Sequence, residues 1–168
     1  TAAHANFVTK YDDGAWLVDL SEISATGDVP RAVAGPLGIT ERPGQPLTRS
    51  IVGGLLARRA LLVLDNCEHV IDGAAALAQA IAEGCPGMRV LATSREGLRL
   101  RDGHERLIAV APLDPSGPGV ELFDERASAV CPGYDPRADR GTVEEICRRL
   151  DGVPLAIELA AARVRTLS

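Results

Sequence analysis

The chain has 168 residues, of which 46% are hydrophobic and 24% are charged, and its mean hydropathy is +0.06. These values are typical of an ordinary globular domain and exclude a disordered or collagen-like chain. The net charge of −5, with 17 arginines and a single lysine, argues against a nucleic-acid surface, because phosphate backbones are bound by clustered positive charge.

The sequence indicates neither a membrane span nor a structural metal site. Its longest stretch without a charged residue, 73–82, is about half as long as a transmembrane helix. Its four cysteines (Cys67, Cys85, Cys131 and Cys147) are too widely spaced for a metal-binding motif. The N-terminal residues have no basic or apolar segment of the kind found in secretory signals, so we expect reduced thiols and a cytoplasmic location. The lack of an initiator methionine suggests a piece of a larger protein.

Short apolar runs of β type alternate with helical patterns through residue 110, which predicts an α/β domain with a largely parallel sheet. Strands are predicted at 15–20, 60–65, 89–93 and 106–110. The second of these is apolar at every position before its terminal Asp65, as expected for a strand that is covered on both faces.

Helices are predicted between these strands. Apolar residues recur at helical spacing over 68–83, so a helix joins the second and third strands in a βαβ crossover, with Gly84 as its stop. Two shorter helices are expected within 28–57, interrupted near Gly35-Pro36 and at the proline-rich turn at 43–46. Residues 1–110 would then form one α/β core.

The remainder of the chain is predicted to be helical. A linker rich in proline and glycine at 111–118 precedes a helical subdomain at 119–168. Its first helix is expected to end near residue 130.

Two further helices follow. Thr142 and Glu145 have the spacing of a capping box, Gly152 is expected to stop that helix, and Pro154 suits the first turn of a last helix to about residue 167.

Asp65 is the first candidate for a functional role. It ends a buried strand, and the carboxyl ends of strands are where open α/β sheets place their ligands. An Asp in this position holds Mg²⁺ in P-loop nucleotide-binding proteins. The competing interpretation is that Asp65 caps the following helix.

Thr93, Ser94 and Arg95 follow the next strand at the same predicted edge. Two hydroxyls and a guanidinium could contact a phosphate group there, because the planar fork of donors on arginine matches phosphate oxygens. The competing interpretation is a solvated basic loop, since three further arginines follow closely.

The segment 149–156 consists of a predicted helix end, a tight turn and the start of another helix. It could be a structural helical hairpin or a DNA-binding helix-turn-helix. The second helix begins Leu155-Ala156-Ile157, with few of the side chains that read base edges, so direct DNA recognition is disfavoured.

Three strings, LLVLDNCEHV, VLATSRE and ICRRLDGVPLAIELAAARV, occur in this order and together resemble the STAND class of P-loop ATPases. The similarity is to the NB-ARC-like form found in LuxR-type and SARP-type bacterial transcriptional regulators, and it extends over nearly the whole chain from DGAWLVDL onward. It implies a parallel-sheet P-loop NTPase core followed by a small helical subdomain.

The resemblance also implies roles for single residues. Asp65 would be the Walker B acid for Mg²⁺, with Asn66 beside it at the nucleotide site. Arg95, after Thr93 and Ser94, would distinguish ATP from ADP. In the helical subdomain, Pro154 of the Gly152-Val153-Pro154 motif would press against the adenine. Such proteins are switches held closed by ADP and released by ATP.

The sequence departs from this family pattern in two respects. Asn66 stands where many relatives have a second acid, which leaves Glu68 as the nearest carboxylate, so slow or absent hydrolysis is expected. No Walker A loop is present, and the resemblance implies that the chain begins inside the helix that follows this loop, at residues 1–9, without the first strand. An exposed apolar sheet face would follow.

Two functions therefore remain open at the level of sequence. The first is a fragment of an ATP/ADP switch that binds Mg²⁺ with its nucleotide in the complete domain. Its expected partners are other domains of its parent and further copies in a homo-oligomer. The second is an interaction or scaffold domain that keeps the NTPase fold without binding nucleotide.

Overall fold

A computed structural model describes residues 11–164 of the chain. The predicted helix at residues 1–9 and the last residues of the predicted terminal helix lie outside this part. The chain divides into two compact units, one ending at Leu107 and the other beginning at Ile108. Each unit is described by itself below.

In the described part of the first unit, a parallel sheet has three strands. Its strands are β1 (Ala15–Asp19), β2 (Leu61–Asp65) and β3 (Arg89–Ala92), in the order β1-β2-β3. The register pairs Asp19 with Asp65, so both strands end at the same level. The first three predicted strands and the α/β class with a parallel sheet are confirmed.

The predicted fourth strand at 106–110 is wrong, because these residues form no strand. Leu107, Ile108 and Val110 are instead 71%, 72% and 92% exposed. A β-type composition produces a strand only when a neighbouring strand supplies hydrogen-bond partners. Here the segment contains the boundary between the two units, and no strand in the described part of the chain pairs with it.

Within residues 11–107, three α-helices accompany the sheet: α1 (Val29–Leu37), α2 (Leu47–Leu55) and α3 (Ile71–Gly84). Short 3₁₀ turns lie at Thr26–Asp28 and Cys67–His69. The crossover helix is confirmed, although it begins later than predicted because the 3₁₀ turn occupies its first residues, and it includes Gly84.

The two short helices predicted within 28–57 are confirmed, and α1 ends at Leu37, one residue beyond the predicted interruption near Gly35-Pro36. Pro36 has no N–H to donate to the Ala32 carbonyl and its ring crowds that carbonyl, so the helix continues for only one residue beyond it. The helix ends at Gly38, whose φ of 67° is the left-handed conformation that glycine adopts readily.

The two faces of the sheet differ in their surroundings. Val18, Leu62 and Leu64 are buried in the core, which also contains apolar side chains of all three helices. On the opposite face, Leu17 is 66% and Leu91 is 45% exposed. The register places these two leucines on either side of Val63. The expected exposed apolar face is therefore present on β1 and β3, whereas β2 is mostly buried.

The second unit is helical, with α4 (Pro118–Val130), α5 (Arg140–Arg149) and α6 (Pro154–Ala161). Its small core combines residues from all three helices: Val120, Phe123, Ala127, Val143, Cys147, Ile157 and Ala161.

The predicted capping box in the second unit is wrong. Helix α5 begins at Arg140, so Thr142 lies inside it and cannot cap it, and no side chain caps its first turn. The Glu145 carboxylate instead pairs with Arg148 and with Arg149. The helix ends at Arg149, and the Gly152 N–H donates to the Cys147 carbonyl over 3.0 Å, so Gly152 lies in the turn that closes the helix, as predicted. The prediction that Pro154 begins the last helix is confirmed.

Among residues 11–164, none of the helices has the length and apolar character that a bilayer crossing requires.

Candidate functional site

The carboxyl edge of the sheet gathers polar side chains from three strand ends. Asp19 ends β1, Asp65 ends β2, and Thr93 follows β3 directly. Parallel strands bring these ends to one edge because all of them run in the same direction. Backbone bonds hold the edge together: the Leu20 N–H donates to the Asp65 carbonyl, and the Cys67 N–H donates to the Thr93 carbonyl, over 2.9 and 3.0 Å.

Thr93 is the central residue of this edge. Its hydroxyl donates to Oδ1 of Asp65, and its oxygen accepts the backbone N–H of Asn66 over 3.1 Å. One hydroxyl therefore orients the Asp65 carboxylate and fixes the residue that follows it. The structure brings together Asp65, Asn66 and Thr93, as predicted for a shared sheet edge.

Asn66 connects the edge to β1. It adopts the left-handed conformation, with φ 61° and ψ 50°, which asparagine tolerates better than most residues. Its side-chain Nδ2 donates to Oδ1 of Asp19 over 3.1 Å. Asp65 does not cap the following turn through its side chain, so the capping interpretation has no support here.

Asp19 is a site residue that the sequence interpretation missed. Its carboxylate accepts the Ser21 N–H over 2.9 Å as well as the Asn66 amide. These bonds lower the pKa of Asp19 below its ordinary value, because they favour the charged form. The available signal was an acid at the end of a predicted strand, the same pattern that identified Asp65.

Ser94 and Arg95 lie on the loop after β3. Arg95 extends toward the turn after β2, where its Nε is 3.6 Å from Oε1 of Glu68. The Arg95 side chain is 88% exposed, so this ion pair is weak and the guanidinium is accessible. Glu68, the predicted nearest carboxylate, is therefore a counter-ion of Arg95. Ser94 is half-buried, and its Oγ accepts the Glu96 N–H.

The donor set of this edge suits a hard cation. Asp65 supplies a carboxylate and Thr93 and Ser94 supply hydroxyl oxygens, which are ligand types that Mg²⁺ prefers. Within the described residues, Oδ2 of Asp65 has no hydrogen-bond partner, and no cluster of three or more metal-ligating side chains occurs. Mg²⁺ usually binds through one or two carboxylates together with waters and phosphates, and such a site fits this edge.

The predicted residues Gly152 and Pro154 lie in the second unit. Gly152 has a φ of 67° in the turn between α5 and α6, and its carbonyl accepts the Leu113 N–H over 2.9 Å. Pro154 is exposed and is the first residue of α6. Gly152 therefore has a structural role within its own unit, and Pro154 has an accessible ring.

Two cavities are lined by residues other than those of this edge. One of about 390 Å³ is lined by residues of α2 and α3, including Val52 and Ala80. The other, of about 330 Å³, is in the helical unit beside Cys131 and Tyr134. The carboxyl edge is thus identified by its polar side chains rather than by a cavity.

No protein-family model matches the chain. Over 157 residues, the chain is 43% identical to "Putative HTH-type transcriptional regulator Rv0890c" of Mycobacterium tuberculosis. It has the same identity with "Putative HTH-type transcriptional regulator Mb0914c" of Mycobacterium bovis. Each match covers 93% of this chain and 18% of the relative.

A third relative is "Uncharacterized protein Rv0894" of Mycobacterium tuberculosis, which is 41% identical over 165 residues. This match covers 98% of this chain and 42% of the relative. The chain therefore spans less than half the length of the curated relatives it matches, and the similarity extends over both of its units.

Proposed function

We propose that this chain is part of an ATP- and ADP-binding switch of the STAND class in a bacterial transcriptional regulator. The observation that carries the proposal is the linked set of Asp65, Asn66 and Thr93 at the carboxyl edge of a parallel sheet. The names of two relatives, which call those proteins transcriptional regulators, support the regulatory context.

In this proposal Asp65 holds Mg²⁺ at the phosphates of the nucleotide. The cation would neutralise phosphate charge when bound. Thr93 orients the Asp65 carboxylate through its hydroxyl. Ser94 and the accessible guanidinium of Arg95 contact the terminal phosphate, so that Arg95 senses whether ATP or ADP is present.

The switch hydrolyses ATP slowly or not at all. Asn66 follows Asp65 where a second acid would orient the attacking water, and its amide is bonded to Asp19. An amide cannot accept a proton from water at neutral pH. A regulatory switch needs slow turnover, so at most weak ATPase activity is consistent with this role.

The ligand in this proposal is ATP or ADP. The protein partners are the other domains of the parent regulator and further copies of the parent in a homo-oligomer. The proposed location is the cytoplasm. DNA contact belongs to other domains of the parent. The exposed side of α6 carries Leu155 and Leu159, which are 66% and 61% exposed. An apolar helix face lacks the donors and acceptors that read base edges.

The scaffold function is the second candidate, and one observation favours it. Asn66 and Thr93 are hydrogen-bonded to each other, and their side chains are also bonded to Asp19 and Asp65 respectively. A sheet edge stabilised in this way needs no nucleotide to be ordered. In this case the parent would use the domain to bind other domains or proteins.

Thermal unfolding of the complete parent domain with and without Mg-ATP and Mg-ADP distinguishes the two candidates. Ligand at 100 times its dissociation constant adds about 2.7 kcal/mol, which raises the unfolding midpoint of a chain of this size by roughly 5–11 °C. A shift of this order that Asp65→Asn abolishes supports the switch. The matched control is Glu22→Gln, which changes an exposed acid outside the edge. A folded chain without any shift favours the scaffold.

A further inference from the structure

A continuous hydrogen-bonded path connects Asp19 on β1 with Asp65 on β2. Asp19 accepts from the Asn66 side chain, the Asn66 N–H donates to Oγ1 of Thr93, and the Thr93 hydroxyl donates to Asp65. The backbone already pairs the two strands, with Asp19 and Asp65 in register. The side-chain path adds to that backbone pairing. It includes both hydrogen bonds of the Thr93 hydroxyl, the one accepted from the Asn66 N–H and the one donated to Asp65.

The direction of the Thr93 hydroxyl depends on this path. A hydroxyl has one hydrogen to donate and can accept through its oxygen. Because the Asn66 N–H occupies the oxygen, the hydrogen turns toward the Asp65 carboxylate. The Asn66 N–H donates to Thr93 while Asn66 has its left-handed conformation, and the bond from its side chain to Asp19 restrains that conformation.

We propose that Asp19 is a positioning residue for Asp65 and acts through Asn66 and Thr93. Asp19 sets the conformation of Asn66, Asn66 sets the direction of the Thr93 hydroxyl, and the hydroxyl leaves Oδ2 of Asp65 free to face a cation. This inference deepens the proposed function, on which its cation-binding part rests. It also explains why an amide is suitable at position 66, since an acid there would repel Asp19.

Two variants break the path at different points. Asp19→Ala removes the acceptor, whereas Asp19→Asn keeps an oxygen that can accept from both Ser21 and Asn66. Asn66→Gly removes the bridging amide but suits the left-handed backbone, so it tests the path even if Asp19→Ala fails to fold. Glu22→Ala is the matched control, because Glu22 is an exposed acid three residues from Asp19 and outside the path.

The experiment uses the full chain and two measurements. Carbon-13 NMR follows the side-chain carboxyl resonance of Asp65, and relaxation of water protons measures the affinity for Mn²⁺ as a substitute for Mg²⁺. Asp19→Ala and Asn66→Gly are expected to move the Asp65 resonance and to weaken Mn²⁺ binding about tenfold, as for other groups that orient a metal ligand. Asp19→Asn is expected to preserve both properties.

The two proposals can fail separately. An unchanged Asp65 resonance in both Asp19→Ala and Asn66→Gly overturns the positioning role, whatever the Mn²⁺ affinity. If the wild-type chain binds no Mn²⁺ but the variants still shift the Asp65 resonance, the positioning role of Asp19 is supported. The same result contradicts the cation site of the proposed switch.

Discussion

The carbonyl oxygen of Leu113 occupies the space beside Gly152 that a side chain would need. A Cβ atom added to Gly152 would lie 2.0 Å from this oxygen. The Leu113 N–H also donates to the Gly152 carbonyl over 2.9 Å. This hydrogen bond joins the segment before α4 to the turn between α5 and α6. Glycine is therefore required at position 152 by packing, independently of any contact that the motif makes with a nucleotide.

Gly152→Ala is expected to destabilise the helical unit by about 2–4 kcal/mol, through its left-handed φ and the clash with Leu113. Urea unfolding followed by far-ultraviolet circular dichroism measures the loss of helix. The only tryptophan, Trp16, lies in the first unit, so its fluorescence shows whether that unit is unaffected.

Gly141→Ala is the matched control for this substitution. Gly141 lies in the first turn of α5 and has open space around a Cβ atom, so alanine there is expected to be neutral or stabilising by up to about 1 kcal/mol. Equal effects of the two substitutions would contradict the packing role of Gly152.

Gly73→Ala is expected to destabilise the first unit by about 2 kcal/mol. A Cβ atom at Gly73 would lie 2.3 Å from the carbonyl oxygen of Thr26, so the 3₁₀ turn would have to move away from α3. The unfolding transition of Trp16 fluorescence in urea measures the change. Gly27→Ala, which meets no atom within 4 Å, is expected to leave that transition within about 0.5 kcal/mol of the wild type.

Thiol modification is expected to separate Cys131 from the other cysteines. Cys131 is half-buried, whereas Cys67, Cys85 and Cys147 are buried. Burial, together with the nearby negative charges of Glu68 and Asp65, raises the pKa of Cys67 to about 11, so little reactive thiolate forms at pH 8. A chromogenic disulfide reagent is expected to modify one thiol in the native chain and all four in urea. Fast modification of Cys67 in the native chain would refute this expectation.

Tyr134 is expected to make the helical unit sensitive to alkali. Burial, and donation of its hydroxyl to Asp124, raise the pKa of Tyr134 above its ordinary value of 10.0. The folded state therefore favours the protonated phenol, so its contribution to stability is complete below pH 10 and decreases as the pH rises above it.

Urea unfolding of the wild type and Tyr134→Phe as a function of pH tests this dependence. The variant is expected to lose about 1 kcal/mol at pH 7 with the hydrogen bond, and to show a smaller decline in stability above pH 10. Parallel pH profiles for the two proteins would exclude the Tyr134 contribution.

Arg95→Ala is expected to weaken ATP binding about tenfold and to leave ADP binding unchanged, if the proposed switch is correct. The Arg95 guanidinium is accessible and weakly paired, so it can turn from Glu68 to a terminal phosphate at little cost. Calorimetric titration of both nucleotides with Mg²⁺ into the complete parent domain, which includes the Walker A loop, measures the difference. Equal losses for ATP and ADP would exclude the sensor role, and Arg99→Ala, on the same loop, provides the control.

Much of the candidate edge could be predicted from the sequence because the end of each strand can be recognised from a few neighbouring residues. The end of an apolar run marks the end of a strand, and parallel strands share their carboxyl edge, so Asp65 and Thr93 could be placed together. Asp19 could have been placed there by the same rule. The bonds of Asn66 could not, because they depend on a left-handed φ and on a residue 47 positions away.

The sequence by itself determined the order and type of most elements, since apolar periodicity and turn residues act over a few neighbours. Only the tertiary structure decided that 106–110 has no strand partner, that Pro36 stays within α1, and that Glu145 pairs with arginines rather than capping a helix. It also decided that Leu113 requires a glycine at position 152. These outcomes depend on which distant groups meet, and local patterns carry no information about such contacts.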